Sequence, residues 1–328
     1  MNESVLSFKD KYFGDKNFYK MTLTIAIPII IQNLLTNLVS MADNIMVGQL
    51  GTNQMSGVAI INQLFFVFNL LVFGGMSGAG LFSAQYFGQK NHNGVRDVFR
   101  MKILIGITII AISLSVMIFL HEPLINMFLH EGSSSGNIQE TFNYAKNYLY
   151  IMVIGIAPFV ISNCYSTTLK ESGQTVVPMK AGVLAVVFDI VLNYIFIFGK
   201  LGFPAMGVVG AAIATVISRF VECGYLVIYT HIHSNDYPFI KHCYRTLKVP
   251  GSLVKKIIVT GAPLMLNEFL WAGGLTLQTQ ALSTKGLATV GGLNICNTIG
   301  NISICIFVTM GTTIAIVVGQ LVGAGKLK

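Results

Sequence analysis

Residues Pro28–Gly51 read PIIIQNLLTNLVSMADNIMVGQLG. The stretch is long and apolar enough to cross a bilayer, which takes about 20 apolar residues in helical form. It nevertheless carries Pro28, Gln32, Asn33, Asn37, Asp43 and Asn44. A carboxylate in the middle of a spanning helix costs about 2.5–3.5 kcal/mol on insertion scales, so such residues normally face a bundle interior or a wet cavity and mark an ion or substrate path. Asp43 also has a plainer reading, as a helix cap at the level of the headgroups. An internal repeat weighs towards function. A shift of 235 residues carries Pro28 onto Pro263, Gly51 onto Gly286, Gly57 onto Gly292, Asn62 onto Asn297, Gln85 onto Gln320 and Gly88 onto Gly323, while Gln32-Asn33 falls on Asn267-Glu268. Apolar stretches resemble one another cheaply, but Gly, Pro, Asn and Gln in one ungapped register do not. Repeats of this kind mark transporter folds, whose sites lie near the repeat interface.

The rest of the composition agrees with a membrane setting. The chain has 328 residues, 53% hydrophobic and 10% charged, against about 25% charged in soluble proteins. An all-α integral membrane protein follows. The net charge of +8 does not point to nucleic acid, because the positive residues gather in alternate loops. Residues 1–20 are polar and charged, which suits a cytoplasmic lead-in and not a signal peptide. Cys164, Cys223, Cys243, Cys296 and Cys305 show no ligand spacing and no disulfide framework.

Eight spans are predicted, at about 22–48, 57–87, 99–120, 143–168, 178–199, 207–231, 255–282 and 290–319. Loops on one side, with Lys102 counted among them, hold seventeen of the 21 Lys and Arg residues. The positive-inside rule then places both termini in the cytoplasm of a multi-pass cell-membrane protein. The expected architecture is a two-lobed transporter bundle, with six helices in an N-terminal lobe (1–240) and the first two helices of a repeated lobe in 241–328. Four spans follow the first repeat unit and none follows the second, so the chain reads as C-terminally incomplete or as a natural short form. Loop 232–254 reads as the inter-lobe connection, an ordinary positive loop whose basic residues also suit anionic membrane lipids. Loop 121–142, with Ser and Gly near its middle, reads as a simple external loop.

Further polar residues fall inside the spans. Asp189 and Asn193 are four apart and share a helix face. A carboxylate and an amide so stacked supply oxygens for a small hard cation, or an interhelical hydrogen bond that stabilises the bundle. Glu268 follows Pro263 by five residues, with Asn267 and Trp271 beside it. A carboxylate next to an aromatic surface suits a cationic amphiphile, and Trp271 serves equally as an interface anchor. Arg219 and Glu222, three apart, read as a local ion pair. Gly75-Met76-Ser77-Gly78 matches the G-x-S-G pattern of intramembrane serine proteases, but no histidine lies mid-span to act as base, so no enzyme is expected.

The stretches IPIIIQNLLTNLVSMADNIMVGQLG, AQYFGQK, LNYIFIFGKLGFPAMGVVGAAIATVISR, TGAPLMLNEFLWAGG and GQLVGAGK resemble the multidrug and toxic compound extrusion (MATE) transporters. The resemblance runs along nearly the whole chain. It implies a twelve-helix exporter of two six-helix lobes, in which a gradient of Na⁺ or H⁺ drives efflux of cationic or amphipathic small molecules by alternating access. The family's first-helix carboxylate falls on Asp43, and its N-lobe polar network falls by position on Asn163, Asp189, Asn193 and Thr215. Asp43 and Asp189 are then the expected Na⁺ ligands, or the proton carriers. Gln32, Asn33, Asn37, Asn267, Glu268 and Trp271 are the expected lining of the substrate cavity. One departure stands out: some members carry Asn first and Asp second in the fifth helix, where this chain has Asp189 and then Asn193. The alternative within the superfamily is a lipid-linked saccharide flippase. Its cavity would need several cations for a pyrophosphate, and only Arg219 lies well inside a span, away from its ends.

Overall fold

The computed structural model describes residues 15–129, 137–283 and 287–325. The Ser/Gly centre of the external loop, most of the N-terminal lead-in and Lys326 to Lys328 lie outside the described residues. The described residues form ten α-helices: α1 Lys16–Gly48, α2 Thr52–Gly88, α3 His92–Phe119, the short α4 His121–Asn126, α5 Ile138–Met152, α6 Ile156–Glu171, α7 Val176–Phe198, α8 Val208–Ile232, α9 Gly251–Ser283 and α10 Leu287–Gly323. A 3₁₀ turn at Val153–Gly155 joins α5 to α6, so that the two form one crossing. No strand occurs among the described residues.

Each of the eight predicted spans is helical, displaced by a few residues at its ends, and the fourth is split by the 3₁₀ turn at Val153–Gly155. Among the described residues seven segments are long and apolar enough to cross a membrane, the last of them Ser303–Gly323 within α10. The span predicted at 255–282 forms α9, a helix of 33 residues, but α9 is not among the seven. Its apolar run is interrupted by Asn267, Glu268 and the glycine pair 273–274.

Local chemistry sets the helix ends. Asp15 accepts from the Phe18 amide at 2.8 Å, Asn91 from the Gly94 amide at 3.0 Å and Asn137 from the Gln139 amide at 3.0 Å, satisfying first-turn donors that lack partners within the helix. Gly199 ends α7 in the left-handed region, at φ 66°, where a side chain would be strained. Pro28 lies inside α1 and cannot donate to the carbonyl of Thr24. Thr175, just before α7, supplies a hydroxyl to that carbonyl at 3.3 Å. The interruption in α1 is thereby converted into a tie to α7.

Helix α2 is the spine. It packs on α3, α5, α6, α9 and α10, and its Ile61, Phe65, Phe68, Val72 and Met76 are buried in the main apolar cluster. The approach of α9 to α2 is made at Gly78 and Gly261, where a Cβ on Gly78 would overlap the Gly261 backbone. This is the small-residue packing by which membrane helices associate closely.

The connection between α8 and α9 is no plain loop. Tyr237, Phe239, Ile240 and Cys243 are buried in the main core. Arg96 Nη2 donates to the Pro238 carbonyl at 3.1 Å, and Arg100 donates to the carbonyls of Cys243 at 2.9 Å and His242 at 3.0 Å. The positive charge expected to face solvent or lipid is in part spent on pinning the segment to α3. The predicted lobe boundary, 240/241, falls within this packed stretch.

Candidate functional site

Three helices bring the central polar residues together. On α7, Asp189 and Asn193 stand one turn apart and are 4% and 1% exposed. On α1, Asp43 is half-buried opposite them. On α8, the turn Thr215–Ser218 closes the cluster. Asn193 Nδ2 donates to Asp43 Oδ1 at 2.7 Å and to Asp189 Oδ2 at 3.1 Å, so a single amide group bridges the two carboxyl groups, one hydrogen to each. Ser218 Oγ lies 3.1 Å from Asp189 Oδ1 and 2.8 Å from the Thr215 carbonyl, and its one hydrogen serves both acceptors. The Thr215 side chain also approaches Asp189. Asn193 Oδ1 is buried and has no hydrogen-bond partner.

Two carboxyl groups and a bare amide oxygen make an oxygen-rich site. Hard monovalent or divalent cations take such donors, and so does a proton shared between neighbouring carboxyl groups. Among the described residues no group of three or more His, Cys, Asp or Glu side chains is placed to hold a metal. A cation here would draw on Asp43, Asp189 and the neutral Asn193 oxygen.

The positive group next in sequence turns away. The Arg219 guanidinium lies between the rings of Phe65 and Phe159, 5.3 and 5.1 Å from their centroids. Gly155, in the 3₁₀ turn, makes room for it: a Cβ there would stand 3.2 Å from Arg219 Cδ. Nη1 is buried without a hydrogen-bond partner. The local pair expected with Glu222 does not form within 4.0 Å, because the aromatic slot draws the side chain elsewhere.

The remaining predicted residues are placed differently. Asn163 donates to the Phe159 carbonyl of its own helix at 2.9 Å, which uses that donor away from the carboxyl pair. Gln32 packs against Gly182, and its Oε1 is buried without a partner. Asn33 donates to Thr309 Oγ1 at 2.8 Å, tying α1 to α10. Asn37, Asn267 and Trp271 are exposed and Glu268 is half-buried. Asn267, Glu268 and Trp271 stand on α9, apart from the α1–α7–α8 cluster.

Two polar groups were not singled out in the sequence. Ser218 is a hydroxyl in an apolar run, and only its position three residues after Thr215 links it to the site. Lys102, counted above with the cytoplasmic loops, is fully buried in α3. Its Nζ donates to Glu171 Oε1 and Oε2 at 2.7 and 2.6 Å, to Thr167 Oγ1 at 3.0 Å and to Thr168 Oγ1 at 3.2 Å. The signal that would have found it is an opposite charge, Glu171, at the same end of a neighbouring span.

A helical bundle whose described residues include seven segments long and apolar enough to cross a membrane, with a carboxyl pair bridged by one amide within it, defines a multi-pass membrane protein. The MatE family profile matches residues 28–195, and the chain belongs to that family. It is 30% identical over 307 residues to a probable multidrug resistance protein NorM of Thermotoga maritima, covering 94% of this chain and 64% of that protein. A protein of the same description in Halalkalibacterium halodurans is 29% identical over 316 residues, covering 94% and 66%. Among solved structures, the outward-facing conformation of a multidrug resistance MATE family transporter of the MOP superfamily superposes with a TM-score of 0.83 at 23% identity, covering 95% of this chain and 66% of that one. The chain thus spans about two thirds of the length of the relatives it matches.

Proposed function

We propose that the protein works as a secondary active exporter of cationic or amphipathic small molecules, in which a cation, Na⁺ or H⁺, moves in exchange. The observation that carries this reading is the convergence of Asp43 and Asp189 on the one amide of Asn193, beside an amide oxygen with no partner. Structural packing has no use for two like charges at such a point, since each carries a desolvation cost in the membrane. A site that gains and loses a cation does. Occupancy changes the charge and hydrogen bonding of α1 and α7 together, which biases the bundle between two access states. The multidrug relatives support the substrate class, and their being transporters supports a non-enzymatic role. Placement in the cell membrane with both termini cytoplasmic belongs to the same reading and rests on the Lys and Arg asymmetry.

Dye efflux from vesicles under an imposed Na⁺ or pH gradient tests it. Asp43→Asn is expected to abolish gradient-driven efflux while leaving protein in the membrane. Efflux at the unsubstituted rate in that variant would remove Asp43 from the coupling site.

A further inference from the structure

The two copies of the repeat meet in a self-complementary contact. The ends of α2 and α10 cross there: a Cβ at Gly88 would overlap the Gln320 carbonyl, and a Cβ at Gly323 would overlap the Gln85 carbonyl. Ala84 Cβ lies 2.9 Å from the place a Cβ on Gly319 would take. The repeat register carries Ala84 onto Gly319, Gln85 onto Gln320 and Gly88 onto Gly323. Each unit therefore presents the same patch to the other, as in a two-fold interface. Ile25, Ile29, Ile316 and Val317 form a buried apolar plug between α1 and α10.

A one-sided clasp holds this seam. Gln320 Nε2 donates to the backbone carbonyl of Glu171 at 2.7 Å. The Glu171 carboxylate is in turn held by Lys102, and Gly80 leaves the room it occupies, since a Cβ there would overlap Glu171 Oε1. Further inter-unit contacts, Gly74 with Met265 and Gly78 with Gly261, fall in the same halves of α2 and α9, and Asn33 with Thr309 lies near the middle of α1. Asp43 lies ten residues beyond Asn33 along α1, or about 15 Å at helical rise. The carboxyl pair is thus on the far side of the seam from the Gly88 and Gly323 ends.

We propose that the Ala84–Gln85–Gly88 and Gly319–Gln320–Gly323 faces form the gate that shuts the path on the α2/α10 side, with Gln320 as its releasable latch. The proposal rests on the transport reading above and adds which atoms must part. Lys102 anchors Glu171 to the first unit, so the break falls at the Gln320–Glu171 bond and at the two carbonyl-to-glycine contacts. With glycine at both crossings, no side chain is interlocked at those two points when the helices part.

The test reads the seam directly. Spin labels are placed at the exposed Gln89 and Ala324 on a cysteine-free background, with the protein in liposomes. Two inter-label distances are expected, and Gln320→Ala should enrich the longer one several-fold. Gly88→Leu should deplete the shorter one; if that variant does not fold, Gln320→Ala alone decides. A single short distance in both proteins, with and without Na⁺ and at acid and neutral pH, overturns the gate. In a second arm, an Ala84→Cys/Gly319→Cys disulfide should stop dye efflux and reduction should restore it. Oxidised protein that pumps as fast as reduced protein also overturns the gate. Reduced protein that pumps no dye counts against the transport reading instead, and the distance measurement then decides the seam.

Discussion

Two buried polar clusters sit in one bundle and are built on opposite rules. Around Lys102 the charges balance: one ammonium faces one carboxylate, two threonine hydroxyls take up remaining hydrogen-bonding capacity, and all of it lies within about three turns of the ends of α3 and α6. Around Asp189 the charges do not balance. Two carboxyl groups share an amide, an oxygen of that amide has no partner, and the Arg219 guanidinium is held between phenyl rings. A buried ion pair that is fully hydrogen-bonded fixes one arrangement of helices. On the transport reading proposed above, the second cluster is where a cation would enter and the first is a fixed point of the bundle.

Substitutions sharpen this contrast, and the largest effect is expected at the balanced cluster. Lys102→Met leaves Glu171 buried and unpaired, which should destabilise the protein by about 3–5 kcal/mol. The same change made together with Glu171→Leu should recover a good part of the loss, as thermal unfolding in detergent would show. A single substitution that costs nothing would erase the distinction. At the unbalanced cluster the expectation inverts: Asp189→Asn removes one of two like charges and should leave unfolding temperature unchanged or raised while efflux disappears. Asn193→Ala is intermediate. It takes away the bridging donor and should cost about 1–3 kcal/mol, with cation dependence of efflux altered as well.

Much of this was legible in the chain. The helices could be placed because their apolar runs are long, and the repeat because Gly, Pro and Gln recur in register. Asp189 and Asn193 were paired by their four-residue spacing alone. Asp43 came from the cost of a carboxylate in a span. Other features were silent for physical reasons. Lys102 stands near a helix start, where lysine ordinarily reaches out to water, and nothing local reveals Glu171 across the interface. Arg219 and Glu222 have the spacing of an ion pair, but the guanidinium finds two phenyl faces and a glycine gap supplied by three other helical segments. The segment after α8 looked like a loop because it is polar, yet its carbonyls are the acceptors for two arginines of α3.

Smaller effects probe the edges of the same comparison. Thr175→Val leaves the Thr24 carbonyl opposite Pro28 without its tie, and the loss should be about 1 kcal/mol or less, read as a small fall in unfolding temperature. Cys243 lies in the connecting segment, where burial pushes its thiol up to about 11. Little thiolate is present at neutral pH, so maleimide should label it far more slowly than an exposed thiol. Rapid labelling would mean the segment detaches from α3.

That pinned segment has a practical consequence for anyone cutting or tagging the chain. Between Tyr237 and Cys243 the backbone is held by three guanidinium contacts and four buried side chains. A protease site spliced there would be hidden from the enzyme, and a nick made there would yield two pieces that stay together through gel filtration.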